Sequence, residues 1–491
     1  MKKIMARLTG PIAFLLFAAL ISCVVNPVTG EKEFNIVSEA MEIQMGQETD
    51  VSIRAEYGIY DDRTLNAYVE AVGRRMVPIT HRPNLPYHFA VLDTPVENAF
   101  AAPGGYIYIT RGMLAIINDE AALAAIIGHE LGHVNARHTA RAMSRQILLM
   151  GGLLVVGALS EDIAKITPFA MIGLQVLSLK FSRDDEYQAD SLGIQYSRAA
   201  GWAPGQVVPL FTTFLRLEQS GGGPSLPNFL STHPLTSRRI EEINKMLLPA
   251  DPGRRVARND YLGRVDGLVY GNNPRQGYVE SGAFYHPDLQ FMIIIPKGWK
   301  YQNTPKRFVM VPQDEKAAVF LTTEASAKDL SEFMKDKLAS YKESQVQELS
   351  RGALRINGLS AFRGLYDIRP KVRQGQQNQA DQGTPMTVDI RCIRKGGQIF
   401  TFLSTTASSS FKGYEPAIDG AIRSFQALSD ADKLNRRAWR VGLQSGRRGE
   451  TLKAILLRLK VDQKLWKAHE LMNGMLADSA LDADRMIKFL H

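Results

Sequence analysis

Cysteine is nearly absent from this 491-residue sequence, which has only Cys23 and Cys392. A disulfide framework and a four-cysteine zinc site are therefore excluded, and any metal must be held by His, Asp or Glu. Long apolar runs are missing too. Ile147 to Leu159 is apolar for 13 residues and Ile166 to Leu179 is nearly so, with Glu161, Asp162 and Lys165 between them. Both fall short of the roughly 20 residues that span a bilayer, so buried or surface-lying helices are expected. No repeat of 20 to 50 residues is visible. Hydrophobic residues at 45%, charged residues at 22%, 40 Gly and 23 Pro exclude a disordered, collagen-like or polytopic membrane chain. At about 150 residues per domain, the length allows roughly three. Acidic charge is in modest deficit, and the formal charge is +9. Residues 430–491, with 13 Lys/Arg against 8 Asp/Glu, hold much of the excess. A basic tail suits a solvated helix or an anionic surface such as lipid headgroups or cell-wall polymer. No nucleic-acid partner is expected.

What is present begins with an address. Lys2, Lys3 and Arg7 precede an apolar stretch of 11 residues, Pro11 to Ile21, which is the pattern of a secretion signal. Leu20-Ile21-Ser22-Cys23 resembles the bacterial lipobox, where the leader is cut before the Cys and its thiol is lipidated. Two or three acyl chains anchor stably without a spanning helix. Val24 stands where an Asp would, by resemblance to enterobacterial lipoproteins, retain the protein in the inner membrane. The expectation is a lipid anchor in the bacterial outer membrane, facing the periplasm.

Val37 to about Leu248 is mostly helical in pattern, with one strand-like stretch at Tyr106 to Ile109 after Pro103-Gly104-Gly105. Pro249 to Pro274 is rich in Gly, Asp and Arg and is read as a linker. Strand-like runs follow at Leu289–Ile295, Phe308–Val311, Ala318–Thr322, Ala361–Tyr366, Thr387–Ile393 and Ile399–Ser404. Helical stretches at Asp329–Tyr341 and Glu415–Leu428 lie among them, predicting an α+β domain with a mainly antiparallel sheet. The Gln-rich stretch Arg373 to Gly383 is read as a loop. The predicted organisation is a leader over 1–22, a mainly α-helical domain with a small edge-strand sheet over 23–250, and a linker over 251–274. An α+β sandwich over 275–428 and a short basic helical module over 429–491 complete it.

Chemistry is carried by His129-Glu130-Leu131-Gly132-His133, inside the periodic run from Glu120 to Gly128. On a helix, His129 and His133 share one face, where both imidazoles can reach one Zn²⁺. Glu130 then projects beside the metal, placed to take a proton from a water that zinc acidifies. A third ligand is needed. Ala136 and Thr139 stand where the extended metzincin pattern has Gly and His, which excludes that class. His138, about 140° round a continuing helix from His133, is expected to miss the metal. Downstream, Ser182 with Asp185 resembles a capping box, and Glu186 and Asp190 share a face of the helix it starts. A Glu ligand with an Asp one turn later is the gluzincin arrangement, the Asp receiving an N–H from a ligating His. Asp184 and Asp185 are read as charges favoured by the helix dipole.

Together with Asn98-Ala99-Phe100-Ala101 before Pro103-Gly104-Gly105, and Ser231-Thr232-His233-Pro234 with Arg239, these motifs resemble the CAAX prenyl protease and HtpX-type zinc metallopeptidase family. Asn26-Pro27-Val28-Thr29-Gly30 is similar to its soluble periplasmic lipoprotein branch. The resemblance covers about residues 26–248. It implies a zincin-like fold, one Zn²⁺ per chain held by His129, His133 and Glu186, Glu130 as catalytic base, and Asp190 as the family's conserved Asp. It also suggests that His233 and Arg239 approach the metal from a loop. There His233 either donates to the oxyanion or fills the fourth position and holds the enzyme inactive. Asn98 to Ala101 is expected to form the edge strand on which an extended peptide pairs.

Residues 275–428 look like the sandwich of the photosystem oxygen-evolving extrinsic subunit, mainly through Leu289 to Trp299. Cys392 lies between Arg391 and Arg394, which could lower its pKa, although a strand cysteine is the default. Gly449-Glu450-Thr451-Leu452 with Ile455 and Asn473 resembles a degenerate LysM module. The implied function is a zinc endopeptidase acting on unfolded or misassembled envelope proteins, with outer-membrane assembly machinery or peptidoglycan as further partners. The rivals are a periplasmic chaperone or assembly factor with a closed zinc site, and a peptidoglycan-binding scaffold.

Overall fold

In a computed structural model, residues 23–145, 181–219, 229–234, 236–341, 344–370 and 385–491 are described. The leader, the apolar runs Ile147 to Leu159 and Ile166 to Leu179, and the Gln-rich stretch Arg373 to Gly383 lie outside the described residues. Among the described residues no helix is long and apolar enough to cross a membrane. The chain forms two compact units, Met1–Gly271 with Trp439–His491, and Asn272–Ala438.

The first unit opens with the paired strands β1 (Cys23–Val25) and β2 (Lys32–Phe34) and the helices α1 (Glu39–Tyr57) and α2 (Arg63–Met76). Three short strands follow, β3 (His88–Leu92), β4 (Ala99–Ala102) and β5 (Tyr106–Thr110). β5 is central, parallel to β3 and antiparallel to β4, so β4 is an edge. Pro103-Gly104-Gly105 makes the β4–β5 turn: Gly104 sits at φ 73°, and a Cβ there would lie 2.7 Å from the Glu42 carbonyl. Only glycine fits both the left-handed backbone and the contact with α1.

After α3 (Arg111–Ile116), Asp119 caps α4 (Glu120–Asn135) by accepting from Ala122 N at 2.8 Å. All 16 residues of α4 are buried, which explains its run of Ala, Leu, Ile and Gly with few polar residues. α5 (Arg183–Ala199) starts from a complete capping box in which Ser182 and Asp185 satisfy each other's main-chain N–H. The helices α6 (Val207–Gln219), α7 (Phe229–Thr232) and α8 (Ser237–Met246) follow. The stretch read as a linker is ordered instead. It carries α9 (Arg258–Val265), whose Tyr261, Leu262 and Val265 are fully buried, and β6 (Val269–Tyr270). Its charged residues make ion pairs, Arg255 with Glu120 and Arg254 with Asp251, and Tyr261 donates to the Leu114 carbonyl at 2.6 Å.

The second unit has two antiparallel sheets. The smaller has the order β17-β9-β8-β7, from β7 (Tyr278–Glu280), β8 (Ala283–His286), β9 (Phe291–Ile294) and β17 (Gln426–Ala427). The larger runs β10-β11-β12-β16-β15-β14-β13, from β10 (Lys300–Asn303), β11 (Phe308–Val311), β12 (Ala317–Ala325), β13 (Ser344–Ile356), β14 (Leu359–Pro370), β15 (Met386–Lys395) and β16 (Gln398–Ala407). The unit's longer helices are α10 (Leu330–Leu338) and α11 (Phe411–Arg423). Phe284, Phe291, Phe400, Phe402 and Phe425 meet in one core with Ile418 and Ile422 of α11. Cys392 is buried on β15, and burial pushes its thiol up to about 11. Its neighbour Arg391 projects from the opposite face of the strand and pairs with Asp389 and Asp419, so it does not acidify the thiol.

Residues 439–491 belong to the first unit and run β18 (Trp439–Gly446), α12 (Leu452–Arg458), α13 (Trp466–Asn473) and β19 (Arg485–Leu490). β18 pairs with both β19 and β6. Fully buried Lys488 on β19 donates to the carbonyls of Ala115 and Ile117 at 2.6 Å each, at the end of α3. The segment is thus two helices between two strands, packed on the same body as α4.

One buried carboxylate ties α5 to the segment after α8. Asp251, 3% exposed, accepts from Arg198 and Arg254 side chains and from Leu248 N. The Arg198 hydrogen bonds hold its carboxyl down to about 2. A depressed pKa contributes stability that is present above the unfolded-state value and lost as pH falls through the folded one. Asp251→Asn is expected to cost about 1–2 kcal/mol at pH 7 in urea unfolding, a gap that should close as pH falls from about 4 toward 2.

Candidate metal centre

Two helix backbones in contact build the site. A Cβ on Gly193 of α5 would lie 2.9 Å from the His129 main-chain nitrogen, and one on Gly132 of α4 would lie 3.0 Å from Ala189 Cα. The absence of side chains there lets α4 and α5 approach closely enough for their functional residues to meet. His129 and His133 lie one turn apart on α4, and Glu186 and Asp190 one turn apart on α5.

The two imidazoles turn their Nε2 atoms toward each other, 3.0 Å apart. Glu186 Oε1 is 3.5 Å from His133 Nε2, and Oε2 is 3.6 Å from His129 Nε2. His233, just after α7, brings its Nδ1 to 2.9 Å from Glu186 Oε1 and 3.3 Å from His129 Nε2. Ligand atoms of His129, His133, Glu186 and His233 all lie within 4.8 Å of one another.

Hydrogen bonds behind the rings define what the inner nitrogens offer. His129 Nδ1 lies 3.0 Å from Asp190 Oδ1, and Asp190 is held well ionised: burial raises its pKa, but Arg239 outweighs that. Nδ1 therefore donates to Asp190, and Nε2 is the ring nitrogen turned to the cluster. Burial, the neighbouring histidines and Arg239 push His133 far below the ordinary histidine range, so its ring is neutral. Two ring nitrogens turned toward each other at 3.0 Å beside a carboxylate are a donor set that a cation would satisfy. The N, N, O donor set with these spacings suits a tetrahedral zinc, whose ligand atoms stand about 3.3 Å apart.

Glu130 is 1% exposed, and neither of its carboxylate oxygens has a hydrogen-bond partner. Burial raises its pKa, opposed by His233 and His129. His233 Nε2, also without a partner, faces Glu130 Oε1 at 3.7 Å. For His233 itself burial lowers the pKa, but Glu186 and Glu130 raise it on balance. A buried, unpartnered carboxylate next to the cluster is a proton acceptor held ready.

Arg239 on α8 is directed elsewhere than at open space. It grips Asp190 through Nε and Nη2 at 2.7 Å each, and its Nη1 lies 2.7 Å from Glu186 Oε2. Asn98 precedes β4 with Oδ1 buried and unpartnered, Ala99 to Ala101 run along that edge strand, and Phe100 packs on Tyr108. The main-chain N–H of Phe229 occupies the Glu97 carbonyl at 3.0 Å, just upstream of β4. Cys23 lies in β1, outside the cluster. Asp184 is exposed in the first turn of α5 and Asp185 serves its capping box.

His138 departs from its expected place for an identifiable reason. α4 stops at Asn135, and Arg137 takes a left-handed φ of 57°, so the 140° offset of a continuing helix does not apply. His138 returns to lie with Nδ1 2.8 Å from His133 Nδ1. It is not among the clustered ligand residues. No glycine at 137 marks this turn, so the pattern gave no warning.

Residues 63–247 match the model of peptidase family M48. The mitochondrial metalloendopeptidase OMA1 of Schizosaccharomyces pombe is 30% identical over 241 residues, which are 47% of this chain and 68% of that protein. The chain belongs to peptidase family M48. The β-barrel assembly-enhancing protease of Escherichia coli K12 is 28% identical to this M48 protein over 224 residues, 44% of this chain. The match spans 46% of that relative, under half its length. The solved cyanobacterial PsbP of Synechocystis aligns over 30% of this chain and 91% of its own, at 15% identity and a TM-score of 0.24.

The helix contact makes a testable demand. Gly193→Val is expected to push α5 off α4, costing about 1–3 kcal/mol of stability by overpacking. It should also lower metal content after dialysis, read by atomic absorption alongside denaturant unfolding.

Proposed function

We propose that this M48 protein is a zinc-dependent endopeptidase acting on unfolded or misassembled proteins of the cell envelope. The observation that carries the reading is the buried convergence of His129, His133 and Glu186 beside the unpartnered Glu130. His129, His133 and Glu186 would hold one zinc per chain. Bound there, zinc would supply Lewis acidity toward a peptide carbonyl and acidify a water. Glu130 then takes the proton from the attacking water and passes it to the leaving amine. Asp190 fixes the His129 ring, and Arg239, clamped on Asp190 and Glu186, positions both carboxylates. An extended substrate would pair with the main chain of β4 from Asn98 to Ala101, an edge that gives affinity with little sequence preference.

The lipobox-like Cys23 supports a lipid anchor in the outer membrane facing the periplasm. The name of the Escherichia coli relative supports a connection to outer-membrane assembly. The β18-α12-α13-β19 order supports a LysM-like module and a peptidoglycan contact. Glu130→Gln should retain zinc and lose casein cleavage to a few per cent of wild type or less, because an amide cannot accept the proton. Glu186→Ala should lose the metal. A Glu130→Gln enzyme that still cleaves would remove Glu130 from the role of base.

A second reading has a specific observation in its favour. His233 Nδ1 lies among the ligand atoms, the cluster residues are all buried, and α7 takes up the Glu97 carbonyl beside β4. In that state His233 fills the position that a catalytic zinc keeps open, and the protein could hold clients as a chaperone without cutting them. His233→Ala should then raise basal casein cleavage. A fall of about 100-fold with zinc content unchanged would make His233 an oxyanion donor instead.

A further inference from the structure

His133 lacks the carboxylate that backs His129, yet its outer nitrogen is not left to solvent. Its Nδ1 meets His138 Nδ1 at 2.8 Å, and His138 Nε2 meets Gln188 Oε1 at 2.8 Å, with Asp185 Oδ1 at 3.5 Å. His138 and His133 are both 1% exposed, so no water takes over either bond. The two groups facing His138 Nε2 are acceptors, so that nitrogen carries the proton and His138 Nδ1 presents a lone pair. That lone pair requires the His133 proton to sit on Nδ1, which frees His133 Nε2 toward Glu186 and His129.

We infer that His138 is a positioning residue that sets the tautomer and ring angle of His133 for metal binding, with Gln188 of α5 setting the tautomer of His138 in turn. The chain of bonds runs from α5 through the turn after α4 to the ligand. α5 therefore orients both histidines, His129 directly through Asp190 and His133 through Gln188 and His138.

The backbone shows that His138 is held there at some expense. Arg137 adopts a left-handed conformation that a non-glycine side chain disfavours by about 1 kcal/mol or more. Its guanidinium is anchored by Glu42 Oε1 and the Val37 carbonyl at 2.6 Å each. Arg82, bonded to Glu42 at 2.7 Å, to the Val134 carbonyl at 2.9 Å and through its own N–H to Asn135 Oδ1 at 2.7 Å, fastens the end of α4 from the same side. A helix that merely ended at Asn135 would need none of this. Its effect is to reverse the chain so that position 138 faces position 133.

The inference rests on the metal reading above, and its test reads affinity for zinc alone in the full-length protein, by competition with a chromophoric chelator. Leucine at 138 keeps apolar volume but has no acceptor, whereas asparagine places Oδ1 close to the former Nδ1. His138→Leu should weaken zinc by about 10–100-fold, as loss of an orienting partner does. His138→Asn should stay within about threefold of wild type, since the acceptor is restored. The thermal midpoints of the metal-free proteins control for folding. A packing role would give the reverse order, with leucine tolerated and asparagine impaired, and would overturn the inference. So would equal affinities for His138→Leu and wild type in a protein that loses zinc on Glu186→Ala. A wild type that holds no zinc would instead overturn the metal reading, and this inference with it.

Discussion

The contact between α4 and α5 is the constraint from which the site follows. Two histidines on one helix face and two carboxylates on another meet at hydrogen-bond distances only if the helix axes come unusually close, and glycine makes that approach available. The cost is helix propensity, roughly 1 kcal/mol for each glycine in a helix interior. Complete burial of α4 offsets it, since packing rather than propensity supplies most helix stability in a folded protein.

Around that contact the charges follow an order. Asp190 and Glu186 are buried carboxylates whose pKa burial alone would raise, yet both are lowered, Asp190 chiefly by Arg239 and Glu186 chiefly by His233, with Arg239 adding to it. For Glu130, with His233 no nearer than 3.7 Å, burial outweighs the neighbouring charges and its pKa moves the other way. Three buried carboxylates within one site are thereby divided into two fixed anions and one that can exchange a proton. That division is the one that the proposed role of Glu130 as base requires.

Much of this could be read beforehand, where function is written in local spacing. The His129–His133 interval, Ser182 with Asp185, and Glu186 with Asp190 each reflect one turn of helix, and each has its side chains where a helix puts them. The six strand-like runs after Leu289 coincide with strands because they alternate or are wholly apolar. β13 went unseen, since nearly all its side chains are exposed and its sequence carries no hydrophobic period. Residues 251–274 looked like a linker because Gly, Asp and Arg mark loops by composition, although here ion pairs brace a helix that buries Tyr261, Leu262 and Val265. Which way Arg239 pointed was hidden for a different reason. A guanidinium can serve substrate or carboxylate equally well, and only the fold decides. The position of His138 depended on one left-handed residue that no glycine announced.

The first unit is discontinuous in sequence, with residues 272–438 set between its two parts. During synthesis, residues 63–247 emerge well before β18 and β19, whereas all of 272–438 is available to fold as soon as it is made. Chains are produced at about 5–20 residues per second, so the α4 region waits on the order of 20–70 seconds before β6 gains its partner and Lys488 reaches the carbonyls after α3. The metal-binding body is therefore the last part of the molecule to close, and an incompletely translated chain would carry the ligand motif without its full support.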